Sequence, residues 1–152
     1  MSDAQNISQA EYRALAEFRY ELRRFLHFSE QAARAAGLEP RQHQLLLAIK
    51  GLPEQKNTSV GELAERLQIQ HHSTVELVNR MVERGLLERR RDESDQRRVL
   101  VGLTPYGEEV LKKLSLLHRM ELRTTGPALV QVLNALIDGT NNAGNQESTI
   151  QE

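Results

Sequence analysis

The stretch TSVGELAERLQIQHHSTVELVNRMVERGLLE, Thr58 to Glu88, decides the fold. Val60, Leu63, Ala64 and Leu67 recur at helical spacing and mark the inward side of a short helix, capped by Thr58 or Ser59. Ile69 reads as a buried residue in a tight turn, although that turn lacks the glycine common at such positions. His72 or Ser73 starts a second helix, with Val75, Val78, Met81 and Val82 inward and Gly85 at its end. A short helix, a tight turn and a second helix with a polar N-terminal half form a helix-turn-helix pattern.

The segment that follows, LLERRRDESDQRRVLVGL, Leu86 to Leu103, has two apolar, β-prone ends around a charged centre. Leu86, Leu87 and Glu88 begin a strand, and Val99, Leu100, Val101 and Leu103 form its partner. The residues DESDQ between them are turn material. A two-stranded hairpin directly after a helix-turn-helix makes a winged helix. Arg84, Arg89, Arg90, Arg91, Arg97 and Arg98 face only four acids from Glu88 to Asp95, which leaves +2 locally in a chain of net charge −1. For binding a polyanion, local field matters more than net charge.

Upstream, residues 8–36 predict one long helix. Leu15, Phe18, Leu22, Phe25 and Leu26 repeat at helical spacing, Ser8 and Glu11 make a capping-box pattern, and Gly37 is a stop. A second helix runs from about Pro40 to Leu52, with Leu45, Leu46 and Ile49 inward. Downstream, Thr104 caps a long helix with Pro105 in its first turn, and a last short helix runs from about Pro127 to Ile137. The tail, residues 138–152, is polar and predicts disorder. The expected architecture is mainly α: a winged helix-turn-helix of about six helices plus a two-stranded β-wing. It forms one domain over 8–137, with the DNA-binding part at 58–104 and terminal helices at 8–36 and 105–137. Those terminal helices are apolar on one side with little to bury against, and pairing between two chains as a homodimer solves that.

The chain of 152 residues suits one ordinary domain. With no cysteine, disulfides, thiolate chemistry and cysteine-ligated zinc are excluded. The start MSDAQNISQAEY has no apolar run, and no segment approaches the roughly 20 apolar residues of a membrane span. A cytoplasmic location without membrane contact is the expectation. No carboxylate pair, phosphate loop or nucleophile motif appears, so an enzyme is not expected. No cofactor is expected either. His71 and His72 are adjacent and diverge by about 100° on a helix, so they do not share one metal ion easily. His27, His43 and His118 lie on separate helices, and no metal site is expected.

Ser59 to Leu111 resembles the MarR family of bacterial transcription regulators. The most specific part is DESDQRRVLVGLTPYG, an Asp-x-Arg-Arg wing tip and strand followed by Leu-Thr-Pro-x-Gly opening a helix; LVNRMVERGLLERR before it is nearly as typical. The resemblance is strong over about 50 residues, while the flanking helices agree in order and length. It implies a homodimeric DNA-binding protein that places the second helix of the motif in the major groove and the wing in the adjacent minor groove. Many relatives are repressors released from a palindromic operator by a small, often aromatic, effector.

On that resemblance, Arg97 is the leading wing-tip residue, suited to the enhanced negative potential of a narrow minor groove, and Asp95 could bridge its guanidinium. The alternative for the pair is a weak ion pair on a solvated hairpin tip. Arg98 falls on the other hairpin face, where a phosphate contact and an internal salt bridge are both compatible. Of Arg89, Arg90 and Arg91, one or two reach phosphate, Arg91 among the candidates. The reading surface is expected at Gln70, His71, His72, Ser73 and Thr74, where free N–H groups attract phosphate, continuing along Thr74, Leu77 and Arg80. Ser73 could equally serve as N-cap. Glu76 can accept only from cytosine among the bases, or pair with Arg80 at i+4. Asn79 is expected to face solvent. Tyr12, Phe18, Tyr20, Phe25, Phe28 and His43 are either effector-pocket lining or core and interface. The competing function is a winged helix that binds a protein partner without reading DNA sequence.

Overall fold

A computed structural model describes residues 5–53 and 58–139. Its elements are α1 (Gln9–Ala35), α2 (Pro40–Gly51), α3 (Val60–Leu67), α4 (His71–Glu83), β1 (Leu87–Arg91), β2 (Val99–Leu103) and α5 (Pro105–Asp138). They form two compact units. One holds residues 5–28 and 118–139; the other holds the described residues of Ser29–Leu117. The tail expected to be disordered lies, from residue 140 on, outside the described residues.

The Ser29–Leu117 unit contains the helix-turn-helix and wing, and its core borrows from the flanking helices. Ala33 of α1, Leu45 and Leu46 of α2, Leu63 of α3, Val78 and Met81 of α4, Val101 of β2 and Leu111 and Leu114 of α5 are buried in one cluster. A two-helix motif with a hairpin has too little apolar surface to enclose itself, so α2 and the near ends of α1 and α5 supply the remainder. The entries to the helices are built locally. Ser59, not Thr58, caps α3 by accepting the Glu62 N–H. The backbone N–H of Glu39 donates to Gln42 Oε1 at 3.0 Å at the start of α2. Gln68 occupies the left-handed region at φ 54° in the turn after α3, and its side-chain amide donates to the Glu65 carbonyl at 2.7 Å. That bond explains how a non-glycine residue serves there. Ile69 is only half-buried in this turn.

Gly85 closes α4 at φ 73° with nothing near its missing Cβ. Gly85→Ala should therefore cost only the left-handed backbone penalty, about 1–2 kcal/mol. A thermal melt should show a Tm lower by a few degrees; an unchanged Tm would show that the turn relaxes freely.

The strands pair antiparallel, Leu87 with Leu103, Arg89 with Val101 and Arg91 with Val99. The Val101 N–H also donates to the Thr58 carbonyl at 3.1 Å, tying the hairpin to the chain entering α3. Thr104 fastens the end of the wing to α5. Its hydroxyl accepts from the Gly107 N–H at 3.0 Å and donates to the Gly85 carbonyl. The expected N-cap is thus present.

In the other unit, Ser8 and Glu11 form the expected reciprocal capping box of α1, at 2.7 and 3.2 Å. Phe25 and Phe28 meet the His118 ring edge-on, with centroids 6.0 and 5.5 Å apart. Many large apolar side chains here stay exposed, among them Tyr12, Tyr20, Leu26, Met120, Val130 and Ile137. The separate last helix expected from Pro127 is not present: α5 continues through Pro127 without a break, so five helices are seen among the described residues. Gly126 removes the Cβ that would clash with the proline ring. The hydroxyls of Thr124 and Thr125 bond back to the carbonyls of Met120 and Glu121 in the same turn.

Candidate nucleic-acid interface

Helix α4 turns Thr74, Val78 and Met81 into the core. Its opposite side carries His72, Glu76, Asn79 and Arg80, all exposed, with Ser73 beside them. This departs from the sequence reading at three points. Thr74, expected on the reading surface, is completely buried and its hydroxyl donates to the Gln70 carbonyl at 3.0 Å. Its methyl group satisfies the core while the hydroxyl bonds back along the helix, a combination open to threonine in a helix interior. Helix α4 starts at His71, with Gln70 in the N-cap position and no side-chain cap bond, so Ser73 stands inside the first turn and is not the cap. Leu77 is partly buried against the core. Gln70, His71 and His72 are exposed at the helix start, as expected. Glu76 and Arg80 do not pair; the ion pairs among the described residues lie elsewhere.

The wing sorts its arginines by partner. Arg84 leaves the cluster altogether: it donates to the Gly37 carbonyl at 2.7 Å and to Gln42 Oε1 at 3.0 Å, holding the end of α4 to the turn between α1 and α2. Arg89 donates to Asn79 Oδ1 on α4. Arg90 lies across Gly102, where a Cβ would meet its guanidinium at 3.2 Å. Arg91 donates to the Gln96 carbonyl at 3.0 Å and so braces the tip. Arg97 differs from all of these. Asp95 Oδ1 accepts from its backbone N–H at 3.1 Å and from its Nε at 3.3 Å, and the side chain is 92% exposed. The guanidinium edge away from Nε is left pointing outward at the hairpin tip. The Arg98 N–H closes the tip by donating to the Asp95 carbonyl at 3.0 Å, and its own carbonyl accepts from the Asp92 N–H.

No group of three or more His, Cys, Asp or Glu among the described residues is placed to hold a metal ion. No described helix is long and apolar enough to cross a membrane. A cleft of about 550 Å³ runs beside α4, lined in part by Arg41, Ser73, Glu76 and Arg80. None of the aromatic residues considered as effector lining borders it.

Residues 36–98 match the family described as MarR. Over these residues the chain is similar to the MarR family. The fold agrees beyond that segment. AbsC of Streptomyces coelicolor, a MarR family transcriptional regulator, superimposes with a TM-score of 0.69 at 19% identity, covering 94% of this chain and 99% of that one. A mutant of MepR from S. aureus, bound to an oligodeoxyribonucleotide, superimposes with a TM-score of 0.62 at 18% identity, over 91% and 96% of the two chains. In sequence, the uncharacterized HTH-type transcriptional regulator YsmB of Bacillus subtilis (strain 168) is 29% identical over 68 residues, 45% of this chain. That match spans about half, 47%, of YsmB.

The wing tip is organised around a second carboxylate that residue types alone did not single out. Asp92 accepts from the Ser94 N–H at 3.0 Å and the Ser94 hydroxyl at 2.8 Å. These bonds hold its carboxyl below the usual value, with the charge of Arg98 adding to them. A carboxyl lowered in the folded state contributes order fully above the ordinary aspartate value, about 3.9, and loses it as pH falls through the lowered value. Following the Ser94 amide resonance during acid titration should give a midpoint below the ordinary value, and Asp92→Asn should abolish the step. A midpoint at or above the ordinary value would contradict this account. Asp92 was visible in the sequence only as one more acid; its clue was the Asp-x-Ser spacing of an Asx turn.

Proposed function

We propose that this protein is a sequence-specific transcription regulator that binds a palindromic double-stranded DNA operator as a homodimer. Helix α4 enters the major groove through Gln70, His71, His72, Ser73 and Arg80, and the wing enters the adjacent minor groove through Arg97. Arg91 and Arg98 support the tip beside the phosphates. The observation that carries this reading is Arg97, held extended by Asp95 at the hairpin tip and almost wholly open to solvent. An arginine braced in this way gives up less side-chain freedom when it enters a narrow groove, where negative potential is concentrated. The exposed apolar side chains of α1 and of the distal part of α5 support pairing between two copies. By the family resemblance, the protein acts in the cytoplasm as a repressor that a small, often aromatic, effector releases.

The test is binding of DNA fragments selected from the source genome, followed by fluorescence anisotropy at several salt concentrations and by sedimentation. A dimer should bind with a log–log salt slope near −0.9 for each neutralised phosphate. Its two α4 helices should span half-sites about 34–36 Å apart. A stable monomer with no salt-dependent binding would sink the proposal. A specific protein partner captured without DNA would favour the interaction-module reading instead.

A further inference from the structure

Resting on that reading, we infer that Glu76 and Asn79 are the base-reading pair of α4, and that the operator half-site carries a G·C pair beneath them, cytosine at Glu76 and guanine at Asn79. Arg89 is the positioning residue that makes Asn79 a donor.

The two side chains are three residues apart, hence neighbours on one helix face, and both are exposed opposite the buried stripe of Thr74, Val78 and Met81. Glu76 makes no ion pair or hydrogen bond among the described residues. A lone carboxylate on a surface that meets DNA repels phosphate unless it finds a donor. In the major groove the amino group of cytosine is the donor that carboxylates read. Asparagine ordinarily reads adenine with both ends of its amide, accepting from N6 and donating to N7. Here the carbonyl end is directed at Arg89 of β1. The amide therefore turns its Nδ2 hydrogens outward and presents a donor. Next to a cytosine reader, the acceptors within reach of that donor are O6 and N7 of the paired guanine. The same contact joins the wing to the reading helix, so one strand residue sets the base preference of a side chain on another element.

The experiment is selection of bound half-sites from a random DNA pool, performed on the full chain and on Glu76→Gln, Asn79→Ala and Arg89→Ala. All three positions are exposed, and base preference is read only from the bound fraction. The wild type should select a G·C pair at one central half-site position and lose at least about fivefold in affinity when it is changed to A·T. Glu76→Gln should shift the preference toward adenine, and Asn79→Ala should lose the preference for guanine. Arg89→Ala frees the amide and should admit adenine opposite Asn79. A half-site with A·T throughout this position, or the same preference in all four proteins, would overturn the inference while leaving sequence-specific binding intact. Failure to select any sequence would overturn both.

Discussion

Gly107→Ala is expected to lower stability by about 3 kcal/mol or more. A Cβ at this position would lie 2.1 Å from the carbonyl oxygen of Leu86 and 3.1 Å from its carbonyl carbon. Neither atom can move aside cheaply. Leu86 is buried, and its carbonyl accepts the Thr104 N–H at 3.1 Å just where the wing passes into α5. Relieving the overlap means separating the start of α5 from the end of α4, which also breaks the Thr104 hydroxyl bond to Gly85. Urea denaturation should show a clearly lower midpoint with the slope unchanged. Gly61→Ala provides the control: nothing lies within 4 Å of its added Cβ, so its effect should stay within about 1 kcal/mol. Equal effects at the two glycines would mean that the close approach at Leu86 is not what requires glycine at 107.

Arg97→Ala should weaken operator binding by about 1–3 kcal/mol, close to one or two powers of ten in Kd, and leave the thermal melt unchanged. Among the described residues the side chain pairs with Asp95, and it is 92% exposed, so its removal costs folding little. On the proposed reading, what is lost is a cation delivered into the minor groove. The salt slope should become shallower by about 0.9 if that cation displaces one counterion. Asp95→Asn separates bracing from charge. It weakens the hold on the guanidinium but keeps the arginine, so its loss should be smaller than that of Arg97→Ala. Unchanged affinity for Arg97→Ala on a selected operator would remove the wing tip from the interface.

Much of this architecture was legible because it is written in short-range patterns. The apolar spacing of α2, α3 and α4, the caps at Ser8, Ser59 and Thr104 and the polar hairpin tip all act within one turn or one strand pair. Their physics needs no distant partner. The pairing of Asp95 with Arg97 was legible for the same reason, since two residues of a tight turn must lie close together. The break expected at Pro127 is absent, and the preceding glycine spares the helix one clash, that between the proline ring and a Cβ at 126. Ser73 was passed over as a cap because the helix had already begun at His71.

Read alone, the sequence determined that the chain makes a winged helix-turn-helix and that arginine concentrates on its wing. Helical period, strand alternation and capping chemistry are local properties of the residues. Only the tertiary structure decided which of those residues face outward and which are occupied. Thr74 is buried because α4 rotates that side onto the core, and no polar count reveals the rotation. Arg84, Arg89 and Arg91 are drawn to Gly37 and Gln42, to Asn79 and to Gln96, because these groups come within hydrogen-bond reach once the chain is packed. Arg97 keeps its outward reach because its partner is only two residues away and no other described residue bonds to its side chain. Side chains of one chemical type thus acquire different roles through distance, which folding alone supplies.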